Sequence, residues 1–179
     1  MWKWFRRILL IVITVPIVGI LAWYGVFFLP HLSEIKTISK EGEIIVSTAP
    51  DSLYALTIVS ESKEHIRGFA LKEAYRSLVY EKKGGNNLRW HLNNLLWLIA
   101  SYIHFTDKEV FGIWAYYAPY ERGRGLNNAA EFYFHKPLAR LDERESAALI
   151  SAARNPAHYK PGQKPSEHRI DLILNKANK

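Results

Sequence analysis

The chain has 179 residues, of which 49% are hydrophobic and 13% aromatic, and no cysteine; this excludes a disordered chain, a disulfide framework, thiolate metal sites and cysteine nucleophiles. The length suits one globular domain plus an anchor. The formal net charge of +7 points to anionic partners, and because the basic residues are not interleaved with stacking aromatics, a membrane surface or a phosphorylated lipid fits better than nucleic acid.

Residues 8–28 are almost wholly apolar, with polar atoms only on Thr14, Trp23 and Tyr24. About 20 such residues span a hydrocarbon core of about 30 Å as a helix. Lys3, Arg6 and Arg7 precede this run and the next basic residue is Lys36, so the charge bias predicts a cytoplasmic N-terminus with the bulk of the chain outside. A cleaved signal peptide is the competing reading. The run exceeds the usual apolar region of about 7–15 residues, and no small-x-small cleavage site follows it.

After the anchor, residues 43–48 read as a short strand, and Ala49-Pro50-Asp51-Ser52 as a turn leading into a helix. Helices are predicted over 53–64 and 71–80, followed by a loop at Lys82-Lys83-Gly84-Gly85. Residues 88–105 read as an apolar helix whose buried stripe is Leu92, Leu95, Leu96, Ile99 and Ile103. Thr106 and Glu109 form a capping-box pattern that opens a helix to about Tyr117. A glycine-bearing loop at 119–125 and short helices at 127–134, 143–153 and 166–175 complete the chain. The expected fold is mostly α with at most a small β element. It divides into a cytoplasmic stub and transmembrane anchor (1–30), a juxtamembrane segment (31–52) and a helical domain (53–179).

Three consecutive stretches carry a family resemblance: residues 129–137, ending Tyr133-Phe134-His135-Lys136-Pro137; residues 141–149, with Glu145, Ala147 and Leu149; and residues 154–161, with Asn155-Pro156, Tyr159 and Pro161. Their order resembles the peptidoglycan glycosyltransferases of family 51, which polymerise lipid II, and in particular the monofunctional membrane-anchored transglycosylases. The helical segment at His168-Arg169-Ile170 is similar to the arginine segment that follows in that family. Upstream the likeness is weaker: Gly84-Gly85-Asn86-Asn87 stands where the family has Gly-Gly-Ser-Thr, residues 108–117 where it has its Lys-x-x-Ile-Leu-Glu helix, and residues 55–61 where the chain leads into Glu-Asp-x-x-Phe. The resemblance implies a lysozyme-like helical domain, lipid II or peptidoglycan glycan as ligand, a place in the periplasm and cell-wall biogenesis, and no cofactor.

Glycosyl transfer from a lipid pyrophosphate needs a carboxylate base for the acceptor hydroxyl and cationic or hydroxyl groups for the leaving pyrophosphate. Glu61 and Glu64 are the candidate bases, although the family's phenylalanine is lost and neither glutamate sits in frame; an exposed carboxylate at a helix end is the plainer reading. Gly84, Gly85, Asn86, Asn87 and Arg89 are candidate substrate-binding residues, since Arg offers a planar fork of donors to phosphate; a loop with a helix cap explains the first four equally well. Arg122 and Arg124, around Gly123, suit a phosphate or glycan, or a solvated loop. The Arg-Lys-x-x-Glu motif has no room between Leu96 and Lys108, and the family's glutamate in the next helix falls at or near Gly112. With most chemical groups lost, the favoured reading is a protein that keeps the fold and binds lipid II or glycan strands with impaired or absent transfer, with membrane lipids and other cell-wall or envelope-complex proteins as its further expected partners. An active divergent transglycosylase is the alternative. A glycan-cleaving enzyme would need two carboxylates across a cleft, and the sequence offers no convincing pair.

Overall fold

The computed structural model describes Trp2 to Asn178. The chain separates into two compact units at Lys36–Thr37.

The N-terminal unit begins with α1 (Trp2–Trp23) and a π-helical turn (Tyr24–Phe28). No residue of α1 is buried, and its apolar side chains face outward all round. The helix that starts at Trp2 is long and apolar enough to cross a membrane. Pro16 lies inside α1, as membrane helices tolerate, and Thr14 Oγ1 donates to the Leu10 carbonyl at 2.7 Å.

α2 (Leu29–Ser47) takes in residues 43–47 of the expected 43–48 strand, including the β-branched Ile44-Ile45-Val46, and Thr48 follows in a turn. Tertiary contact overrides that local preference. Gly42 of α2 meets Gly112 of α7 (Asp107–Tyr117) so closely that a Cβ at Gly42 would lie 1.8 Å from the Gly112 carbonyl oxygen. Ser39 Oγ donates to the Glu109 carbonyl at 3.0 Å beside this crossing. Among the described residues the two strands pair only with each other.

α3 (Asp51–Ser60) stops four residues short of the expected 64. Glu61 turns extended (φ −129°, ψ 135°), and Ser62 caps α4 (Lys63–Tyr75) by accepting from the His65 N–H at 3.2 Å. α4 therefore begins well before residue 71. It continues through a π-helical segment (Arg76–Tyr80) into the short α5 (Glu81–Lys83). Gly84 ends it with φ +65°, a conformation that favours glycine. α6 (Asn87–His104) follows.

Only two residues, Phe105 and Thr106, join α6 to α7, and the Thr106–Glu109 capping box is complete. Buried Arg67 of α4 fixes this corner. Its Nη1 donates to the Ser101 and Phe105 carbonyls at 3.1 and 3.2 Å, and its Nη2 to Asp107 Oδ1 at 2.8 Å.

The loop after α7 contains a small hairpin, β1 (Pro119–Tyr120) and β2 (Gly123–Arg124), paired antiparallel. Then come α8 (Leu126–Phe134), a 3-10 turn (Leu138–Arg140), α9 (Glu143–Arg154) and α10 (Lys164–Ala177). The C-terminal unit is thus mostly α with one small β element. Helix α4 packs on α6 and α7, while α3, α9 and α10 form the other cluster. Trp97, Phe111, Leu126, Leu149, Ile150 and Ile170 are fully buried in the core.

The stripe expected to bury α6 faces the other way. Leu92, Leu95, Ile99 and Ile103 are 52%, 54%, 53% and 75% exposed, and Leu96 is half-buried. The inward face consists of Asn93, Trp97, Ala100 and Ser101. Periodicity located an apolar face correctly but cannot say whether the domain covers it.

Candidate functional site

The break between α3 and α4 delivers Glu61 to a junction with α9 and α10. Its side chain is 7% exposed. Arg169 Nη2 of α10 donates to Oε1 at 2.7 Å and to Ser60 Oγ at 2.9 Å. Arg154 Nη1, at the end of α9, donates to Oε2. His65 Nε2 lies 3.4 Å from Oε2 and 3.2 Å from Arg154 Nη1. The Arg169 guanidinium also sits over the Tyr159 ring, 5.2 Å from its centre. Each oxygen of this buried carboxylate thus has an arginine partner.

The cavity beside this cluster holds about 30 Å³. Glu61, His65, Phe69, Trp114 and Arg154 are among its walls. That is room for one or two waters rather than a sugar ring.

Glu64 is exposed in the first turn of α4. Its own backbone N–H and then the Ser62 hydroxyl hold its carboxyl below the usual glutamate range. A general base needs the opposite shift, towards the working pH.

The basic candidates gather elsewhere. Arg124 Nη2 stands 3.6 Å from Glu73 and 3.7 Å from Glu81, and Arg76 meets the same two carboxylates at 3.5 and 3.1 Å. Glu81 leads directly into Gly84 and Gly85. Asn86 caps α6 by accepting from the Arg89 N–H at 2.8 Å, and Asn87 is the first residue of that helix. The capping reading of this loop is therefore realised. Arg89 is exposed, with its Cδ 3.6 Å from where a Gly85 Cβ would stand. Arg122 lies over the Phe132 ring at 5.4 Å. Glu61 thus meets Arg154 and Arg169, not Arg89, Arg122 or Arg124.

Arg154 and Arg169 were not legible as site residues. The motif around Asn155 and the helical arginine segment placed both in family-like stretches, but nothing in their spacing pairs them with a carboxylate some 90 or more positions away. Gly112 has a steric reason to carry no side chain. A Cβ there would lie 2.6 Å from the Ser39 carbonyl oxygen and 3.0 Å from the Glu43 nitrogen, so the crossing by α2 leaves no space for a side chain. The missing Arg-Lys-x-x-Glu motif matches the two-residue link between α6 and α7. Among the described residues no group of three or more His, Asp or Glu side chains could hold a metal ion.

No curated protein gives a significant match to the chain. The family model described as Transglycosylase matches residues 73–178. That span includes the Gly84–Asn87 loop, Arg89, Arg122, Arg124, Arg154 and Arg169, and begins after Glu61 and Glu64. With more than half of its length so matched, and with the helical architecture described above, the chain belongs to the transglycosylase family and has a peptidoglycan glycosyltransferase-like role.

Proposed function

We propose that this is a membrane-anchored transglycosylase homologue that binds lipid II or glycan strands in the periplasm with impaired or absent transferase activity. In this reading residues 1–30 form the cytoplasmic stub and anchor, 31–52 the juxtamembrane segment and 53–179 a lysozyme-like ligand-binding domain. The observation that carries it is the engagement of Glu61. Its two oxygens accept from Arg154 and Arg169, beside a cavity of about 30 Å³. A base must present its carboxylate to an acceptor hydroxyl within about 2.6–3.2 Å, and a buried, doubly paired carboxylate has no such approach. Glycan or pyrophosphate contact falls instead to the exposed loop of Gly84, Gly85, Asn86, Asn87 and Arg89, with Arg124 joined to it through Glu81, and to Arg122.

The second reading, an active divergent enzyme, draws on the same cluster. A carboxylate, two guanidiniums and an imidazole converge at one place, as catalysis would need if ligand binding drew the arginines onto pyrophosphate and freed Glu61. Purified full-length protein incubated with labelled lipid II separates the two. The proposal expects retention of lipid II, weakened by Arg89→Ala or Arg124→Ala, without polymer at high protein concentration. Polymer that disappears in Glu61→Gln would establish the enzyme and overturn the proposal.

A further inference from the structure

We propose that Arg76 and Arg124 form a diphosphate-binding pair in which Glu81 stands in for the ligand, so that an incoming diphosphate binds by displacing Glu81. The inference deepens the proposed function and rests on its reading of the glycine loop as the place of ligand contact. It adds Arg76 as a binding residue and Glu81 as an internal competitor.

The pair is built on a fixed carboxylate. Glu73 lies three residues before Arg76 on the same helical face. Its Oε2 is 3.5 Å from Arg76 Nη1 and 3.6 Å from Arg124 Nη2. The Glu73 side chain is only 8% exposed, so it stays in place and sets the separation of the two guanidiniums. The Tyr117 ring, 5.8 Å from the Arg124 guanidinium, supports the second of them.

The other carboxylate is free to leave. The Glu81 side chain is 48% exposed, and its Oε1 faces both guanidiniums, 3.1 Å from Arg76 Nε and 3.7 Å from Arg124 Nη2. Arg124 Nη2 therefore stands beyond hydrogen-bond length from both glutamates. A phosphoryl group, with several oxygens, can engage both guanidinium forks at close range. With Glu81 swung out, two arginines face one glutamate, and exposed Lys82 and Lys83 follow directly in the chain.

A local irregularity seats Glu81 there. On an α-helix, residues 76 and 81 would point about 140° apart. The π-helical segment instead bonds the Glu81 N–H to the Arg76 carbonyl and brings the two side chains together. Single π-turns of this kind often mark functional positions. Beyond Glu81 the helix lasts only to Lys83, and Gly84 ends it with φ +65°. The competitor thus sits at the end of its helix, where displacement disturbs little of the core.

Full-length protein in a non-ionic detergent without phospholipid is titrated with inorganic pyrophosphate by calorimetry. Glu81→Gln keeps the shape and removes the charge, and is expected to bind severalfold more tightly than the wild type. Adding Arg76→Ala to Glu81→Gln should abolish that gain. Glu143→Gln, at the start of α9, controls for net charge and should leave the affinity unchanged. Equal affinity of wild type and Glu81→Gln, no binding by either, a gain that survives Arg76→Ala, or the same gain in Glu143→Gln would each overturn the inference. A parallel titration with lipid II separates it from the proposed function. Pyrophosphate bound in the expected pattern by protein that does not retain lipid II would overturn the function and leave the pair as a site for a free diphosphate. Lipid II retained equally by wild type and Glu81→Gln would keep the function and sink this inference.

Discussion

Glu61 is a candidate base that the fold leaves no freedom to act as one. Its carboxylate is buried, and Arg154 and Arg169 take its oxygens. Under the proposed function its role is structural. Glu61→Gln then lowers stability by about 1–2 kcal/mol, through loss of charge-assisted hydrogen bonds, while lipid II retention is unchanged; chemical denaturation of the full-length protein in detergent measures the first. Gly112 makes the complementary point. Alanine would favour a helix interior by about 1 kcal/mol over glycine, but its Cβ would strike the backbone of Ser39 and Glu43. Gly112→Ala is therefore expected to destabilise by about 1–3 kcal/mol, and a raised Tm would contradict the crossing.

At the scale of elements, the corner between α6 and α7 hangs on Arg67. Its buried guanidinium satisfies two carbonyls and meets Asp107, so Arg67→Ala leaves acceptors without a donor and should cost about 3 kcal/mol, read from the denaturation midpoint. Asp107 gives the corner a pH dependence. Arg67 and then Lys63 hold its carboxyl below the ordinary value of 3.8. A lowered folded-state value means the stabilisation is complete above 3.8 and disappears as pH falls through the folded value. The Tm gap between the wild type and Asp107→Asn should be constant above that pH and close below it; a constant gap throughout would remove Asp107 from the ledger.

The same elements show what the sequence makes legible. The Thr106 capping box and the helices after residue 126 are local patterns, and each is realised near its expected bounds; the apolar run at 8–28 is helical too, within a helix that continues from Trp2 to Ser47. The helical course of residues 43–47 runs against the local β-branched pattern, beside the close approach of Gly42 to Gly112 seventy positions on. The inside-out placement of α6 likewise depends on what fails to cover it, and the Glu61 cluster unites residues from four helices, α3, α4, α9 and α10, that no spacing rule connects.

The whole molecule combines a helix able to cross a membrane, a basic excess and a transglycosylase domain whose chemical groups are paired or missing. Under the proposed function, the exposed glycine loop, with Arg89 and with Arg124 joined to it through Glu81, is what meets a phosphorylated glycolipid. The central claim is that such a lipid is held but not turned over. The most direct measurement follows labelled lipid II on full-length protein in one nanodisc preparation, recording the bound fraction and the chain length of the product together. The account predicts saturable binding with the label remaining monomeric. Glycan polymer formed by the wild type and abolished by Glu61→Gln would contradict it.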